Sequence, residues 1–319
     1  MSSADIDHSA EENVKRRKIE TWYPVSIRSI EKPLEFASTT HISDVPSSIK
    51  LNQNKNVVLG VDEAGRGPVL GPMVYGIAYC LEDYETCLRK EYGFVDSKVV
   101  KPEKRKELFQ LVELGPLFEH VGWACTTMTA RDISSGMLSK LAYNLNEQAH
   151  DTTIALIKQV LAQGVQLSKI FVDTVGPPTT YQAKLQKVFP DIEVTVTKKA
   201  DSLYPIVSTA SMVAKVTRDY NLEYFCEKLG YSEIGCGYPS DPLTKKWQTA
   251  NIDKVFGWNF GITRFSWQTS KDCLVKNGGV NVIYESDCIK EPGYQDIGSM
   301  FNKKEGFNSE HYGSDSFKF

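Results

Sequence analysis

Several features that would point elsewhere are missing from this sequence. No apolar run approaches the roughly 18 residues a helix needs to cross a bilayer. There is no Asn-x-Ser/Thr glycosylation acceptor, and the seven cysteines (80, 87, 125, 226, 236, 273 and 288) include no Cys-x-x-Cys pair. The polar N-terminus lacks the apolar stretch of a secretory leader. An odd number of scattered cysteines suits reduced thiols in a reducing compartment. A surplus of positive charge is missing too, because 37 Lys and Arg against 40 Asp and Glu leave a formal charge of −3. That excludes a uniformly basic protein coating nucleic acid, though not a local basic groove. The common phosphate-binding glycine signatures also fail. Gly60 and Gly65 have the P-loop separation, but Arg66-Gly67 stands where Lys and Ser or Thr are required. Gly65-x-Gly67 is followed by Gly71, one residue too late for a dinucleotide fingerprint.

What is present is ordinary globular material. The 319 residues are 41% hydrophobic and 24% charged, enough for a real core in one domain with appendages or in two. Residues 1–50 are polar with little periodicity and read as a disordered arm. Within it the basic run Lys15-Arg16-Arg17-Lys18 is equally a solvated cluster or a nuclear-import signal. The continuous apolar run Val57 to Val61 suits a buried central strand. Further strands are expected at Met73–Cys80, His120–Met128, Lys169–Asp173 and Ile192–Thr197. Helices are expected at Pro102–Leu114, Ala142–Val165, Tyr181–Phe189, Ser202–Leu229 and from the Gly237-Tyr238-Pro239 turn to about Ile252. Their alternation indicates one α/β domain over residues 51–255. Residues 256–277 read as an ordered helical C-terminal extension, and 278–319 as a flexible tail.

The chemistry concentrates where apolar strands end in acid. Asp62 and Glu63 follow the first buried strand and Asp173 closes a second; each is followed by a glycine-containing loop. A carboxylate there is expensive unless it is paired, hydrogen-bonded or ligated to a cation. On adjacent strands Asp62 and Asp173 would lie about 5 Å apart. Asp201, at the head of a helix, reads on its own as an N-cap, and only the company of the other acids makes it a ligand candidate. Together the four form an oxygen-only set with no competing His or Cys cluster, which suits Mg²⁺ and two-metal phosphoryl transfer. Lys98 lies in Asp96-Ser97-Lys98, and Ser208, Ser211 and Lys215 share one face of a helix. That stripe either grips phosphates or is a solvated helix face. Tyr238 either presents a ring and hydroxyl to a nucleotide or packs in its turn.

These segments resemble a known family. Asp-Glu-Ala-Gly-Arg-Gly-Pro at 62–68, Asp96-Ser97-Lys98, Phe171-Val172-Asp173, Lys199-Ala200-Asp201, Ala214-Lys215 and Gly237-Tyr238-Pro239 occur in the order found in type 2 ribonucleases H. Phe265-Ser266-Trp267 and the flanking arms resemble the catalytic chain of the eukaryotic form. The resemblance covers about 57–275 and implies an RNase H-like fold, a central mixed β-sheet flanked by helices. It implies endonucleolytic hydrolysis of RNA in RNA/DNA hybrids, including cleavage 5′ of a single ribonucleotide embedded in duplex DNA. It assigns Asp62, Glu63, Asp173 and Asp201 to two divalent cations, Mg²⁺ or alternatively Mn²⁺. Gly65, Arg66 and Gly67 match its glycine-arginine-glycine element, and Tyr238 its ribonucleotide-sensing tyrosine. It further implies a heterotrimer with two accessory subunits (B and C), docked partly through the C-terminal extension, and work in the nucleus. Trp258, Phe260, Phe265 and Trp267 would then be interface aromatics or pack back onto the domain. A DNA-cutting integrase or resolvase and a non-catalytic nucleic-acid-binding subunit are the competing classes. The adjacent Asp62-Glu63 pair and the glycine-arginine-glycine run oppose the first; the intact carboxylates oppose the second.

Overall fold

The computed structural model describes residues 22–28, 36–94, 100–141, 143–174 and 176–281. Its centre is β2 (Val57–Ala64), which follows a short segment containing α1 (Val25–Arg28), β1 (Thr39–Ile42) and α2 (Ser47–Leu51). After β2 come β3 (Met73–Leu81), α3 (Glu85–Lys90), α4 (Pro102–Glu113), β4 (Gly122–Met128) and α5 (Ala130–Leu138). The chain continues through α6 (Leu145–Ala162), β5 (Leu167–Asp173), α7 (Pro178–Val188) and β6 (Glu193–Thr197). It closes with α8 (Ala200–Leu203), α9 (Pro205–Leu229), α10 (Pro242–Ala250) and α11 (Gln268–Lys276). Among the described residues no helix is long and apolar enough to cross a membrane.

The six strands form one mixed sheet in the order β1-β4-β3-β2-β5-β6. β2 runs antiparallel to β3 and parallel to β5. Burial on both faces explains why β2 reads as an unbroken apolar run rather than an alternating one. Its residues divide by parity between two cores. Leu59 and Val61 pack with Leu156, Ile157 and Leu185 on the α6–α7 face. Val58 packs with Phe109, Ile206 and Val213 on the α4–α9 face. The same alternation sends Asp62 and Glu63 toward opposite faces.

Helix α9 lies against the sheet at two glycines. A Cβ at Gly60 would sit 2.5 Å from the Val207 nitrogen, and one at Gly76 would sit 2.6 Å from the Ala210 carbonyl. Only hydrogen at these positions lets helix and strand backbones come so close. Residues 205–214 are buried all round, so α9 is a central helix rather than an amphipathic surface one.

Four expectations need correction. The disordered arm over 1–50 does not reach its proposed end, because Thr39–Ile42 pairs with β4 and forms one edge of the sheet. Within the arm, Ile27 is 3% exposed, and Glu113 accepts from Trp22 Nε1 at 2.8 Å. The helix expected over 202–229 is broken at extended Tyr204, since a residue preceding proline is driven out of the helical region. Helix α5 is additional to the expected elements; Ser and Gly lower its propensity, but Thr129 caps it by accepting from the Asp132 amide. Finally, residues 256–277 do not form a separable appendage. Gly71 N donates to Ile262 O at 2.7 Å, Arg264 N donates to Val69 O at 2.9 Å, and Trp258 and Ile262 share a core with Val69 and Leu70. The basic run at 15–18, Lys98 and the tail from 282 lie outside the described residues.

Candidate active site

The last register pair between β2 and β5 is Val61–Val172, so the next residues on each strand, Asp62 and Asp173, lie side by side at the ends of adjacent parallel strands. Glu63 follows on β2. Asp201 arrives on the far side of β6, at the first turn of α8. Here Asp173 does the anchoring, since its Oδ1 accepts from the Ala200 amide at 2.9 Å. The N-cap position belongs to Lys199, in the left-handed region at φ 59°, with no side-chain cap of its own. A carboxylate from another strand thus takes a helix-end donor that a local cap would ordinarily satisfy. Asp201 is released from the capping role its position suggested and lines the cleft instead. Phe171 and Tyr204 stack with centroids 3.9 Å apart beside this junction.

All four carboxylates line one open cleft of about 400 Å³, together with Gly65, Arg66, Gly67, Lys215 and Tyr238. Asp62 is 5% exposed and Asp201 3%. Burial, then the neighbouring Glu63 and Asp173 charges, pushes the Asp62 carboxyl well above the usual range, while a hydrogen bond from Ser211 and the Lys215 charge oppose the shift. Glu63 is raised to about 7, again chiefly by burial, with Arg66 and Lys215 opposing it and Asp173 adding to it. Mutually repelling, desolvated acids beside an open cleft are the electrostatics that a bound dication relieves. No three acidic, His or Cys side chains among the described residues close into a tight metal cage. What the cleft does offer is carboxylate oxygen alone, the donor type Mg²⁺ takes through one or two direct carboxylates while keeping several waters. The donor set therefore fits a divalent hard cation.

The turn after β2 builds the other wall. Gly65 has φ 77°, and a Cβ on Gly67 would touch the Tyr238 ring at 3.4 Å, so the tyrosine lies over the glycine. Tyr238 is 43% exposed, and its loop is fixed by two main-chain bonds to the Gly237 carbonyl, from Val69 N at 2.8 Å and Leu70 N at 3.2 Å. Arg66 reaches away from this wall to Asn146 Oδ1, at the start of α6.

Not every expected residue reaches the cleft. Ser208 and Ser211 are fully buried between α9 and the sheet, so neither grips a phosphate. Ser211 supports Asp62 instead, and Lys215 alone of that stripe lines the opening. Of the four extension aromatics, Trp258 is buried with its indole donating to Gln248 O at 2.8 Å. Phe265 packs against it at 6.0 Å, and Trp267 Nε1 donates to Gly67 O at 3.2 Å. Packing back onto the domain is thus the outcome for these three; Phe260 remains half-exposed. Arg105, Arg218 and Asp219 also line the cleft, although nothing in the motifs singles them out. Arg218 was legible as the next residue on the Lys215 face of α9, three positions on. It donates to Cys236 O at 2.7 Å and so braces the tyrosine loop.

Comparison with known proteins points to a single family. The chain is 50% identical over 249 residues to the A subunit of ribonuclease H2 from Schizosaccharomyces pombe, covering 77% of this chain and 75% of the relative. It is 46% identical over 252 residues to the corresponding ribonuclease H2 protein of Homo sapiens, covering 76% and 81%. The crystal structure of the ribonuclease H2 from Pyrococcus horikoshii OT3 superposes with a TM-score of 0.57 at 31% identity, covering 69% of this chain and 98% of that one. The family model for Ribonuclease HII matches residues 59–270, a span that runs from β2 through Arg264 and into α11. The chain belongs to the ribonuclease HII family, with its RNase H-like mixed sheet flanked by helices.

Proposed function

We propose that this chain is the catalytic subunit of a type 2 ribonuclease H. It would hydrolyse RNA in RNA/DNA hybrids and cut 5′ of single ribonucleotides in duplex DNA, leaving a 3′-hydroxyl and a 5′-phosphate. The observation that carries this reading is the meeting of Asp62, Glu63, Asp173 and Asp201 in one cleft with the Gly65-Arg66-Gly67 turn and Tyr238. Asp62, Glu63, Asp173 and Asp201 would together hold two divalent cations. Such a pair, when bound, supplies Lewis acidity and neutralises charge at a scissile phosphate. Mg²⁺ is the cation the oxygen donors favour, with Mn²⁺ as the alternative.

The remaining roles follow from placement. Lys215 and Arg105 line the same opening and hold the phosphodiester backbone, fixing register without reading sequence, while Arg218 stays engaged with Asp219 and the Cys236 carbonyl. The Gly65–Gly67 backbone approaches the sugar and reads the 2′-hydroxyl, the atom that distinguishes RNA from DNA. Tyr238 stacks on the following deoxyribose, so the RNA-to-DNA junction is itself recognised. Removal of ribonucleotides and of RNA primers from replicating DNA is the cellular task such an enzyme serves. Assembly with two accessory subunits and a nuclear location complete the proposal; half-exposed Phe260 is the extension aromatic left available to a partner. The test is Asp62→Asn, which keeps side-chain volume but removes a ligand charge. Retained folding with loss of Mg²⁺-dependent cleavage is expected, and undiminished hydrolysis at ordinary Mg²⁺ would refute the assignment.

A further inference from the structure

Among the described residues Arg264 is one of the largest side chains to be fully buried, and no carboxylate among them pairs with it. Burying a guanidinium without a counter-charge is costly, so its hydrogen bonds show what it is kept for. Nε donates to Gly71 O at 2.9 Å, Nη1 to Arg66 O at 3.0 Å and Nη2 to Gly65 O at 2.5 Å. The adjacent Trp267 takes the next carbonyl, Gly67 O, through its indole at 3.2 Å, and its ring lies 4.7 Å from the Arg264 guanidinium carbon. Three successive carbonyls of the glycine-arginine-glycine turn are therefore drawn inward by one C-terminal segment.

Peptide planarity then fixes the opposite side of the turn. In a trans peptide the C=O and the following N–H point in opposite directions. With the Gly65 and Arg66 carbonyls held from inside, the N–H groups of Arg66 and Gly67 are directed outward, into the cleft that these residues line. None of the described residues accepts a hydrogen bond from either amide. The planar fork can do this where lysine cannot, since only a guanidinium presents several donors in fixed directions.

We propose that Arg264, seconded by Trp267, is a positioning residue that aims the Arg66 and Gly67 amides at the sugar 2′-oxygen of a bound ribonucleotide. It touches neither substrate nor metal ligand and acts through the turn alone. The C-terminal segment is then part of the ribonucleotide reader, whatever else it docks. This rests on the nuclease reading above, and the experiment separates the two.

The full-length chain, wild type and Arg264→Gln, is titrated in Ca²⁺ with two fluorescein-labelled duplexes, one carrying a single ribonucleotide and one all-DNA. Folding is followed by thermal melting and metal binding by Mn²⁺ titration. Wild type should prefer the ribonucleotide duplex. The variant should lose that preference by roughly ten-fold or more, the worth of two amide bonds, while its affinity for all-DNA duplex and for Mn²⁺ holds. Trp267→Phe, which keeps the ring and loses the indole donor, should give a smaller loss in the same direction. If Arg264→Gln does not fold, Arg264→Lys retains charge and stem without the fork and should show the same selective loss. An unchanged preference, or equal weakening on both duplexes, overturns the positioning role. A wild type without any preference overturns the nuclease reading instead.

Discussion

At the scale of single residues, the site is a balance between like charges and what opposes them. Glu63, raised to about 7, carries a folded-state value above that of an unfolded glutamate near 4.3. For a raised acid the folded state holds the proton more tightly. Its contribution therefore turns unfavourable as pH climbs from about 4.3 to about 7. Glu63→Gln is neutral throughout, so in chelator its melting temperature should gain on wild type between pH 5 and pH 8. Added Mg²⁺ should cancel that gain by relieving the repulsion. A difference independent of pH would mean that Glu63 is not desolvated against its neighbours. Tyr238 makes a second residue-scale claim. Tyr238→Phe keeps the ring over Gly67 and removes the hydroxyl, so single-ribonucleotide incision should fall more than cleavage of a uniform hybrid. Equal losses on both substrates, measured side by side, would assign the tyrosine to packing.

At the scale of elements, the carboxylates are placed by strand ends and by one close helix contact. Gly60 and Gly76 let α9 lie on the sheet, which brings Ser211 to Asp62 and Lys215 to the cleft. Gly60→Ala would push a methyl into the α9 backbone and should cost about 1–3 kcal/mol, as overpacking does. It should also slow cleavage, since the helix carries groups on both sides of Asp62; urea melts and rates on the same preparation check both. Much of this was legible in the sequence. The apolar run ending in Asp62-Glu63 and the one ending in Asp173 state a buried strand and its functional end, because charge is tolerated there only for a reason. What escaped depended on tertiary contact. Thr39–Ile42 is too short and polar to announce an edge strand. The Ser208–Ser211 stripe looks like a phosphate grip until α9 is known to be buried on that face. Asp201 reads as a cap because nothing local reveals that Asp173 takes the Ala200 amide.

At the scale of the whole molecule, the two ends of the matched region close on one another. The turn after β2, the tyrosine loop and residues 256–277 share main-chain bonds, a core and the Arg264 fork. A chain ending at residue 255 loses Trp258, Ile262 and Arg264 together and should neither melt cooperatively at the native temperature nor cleave. One ending at 281 keeps all of them and should retain the native melt. If the shorter chain melts like the longer one, the extension is an appendage after all. The proposed function comes down to acids, cations and a ribose. The most direct test follows a duplex with one ribonucleotide, labelled at the 5′ end, incubated in Mg²⁺ with the full chain, alone and co-expressed with accessory subunits. Incision is predicted only 5′ of the ribonucleotide, with a 3′-hydroxyl on the labelled product, none in chelator and none on all-DNA duplex. Cleavage that survives chelation, or that cuts all-DNA duplex equally, would contradict it.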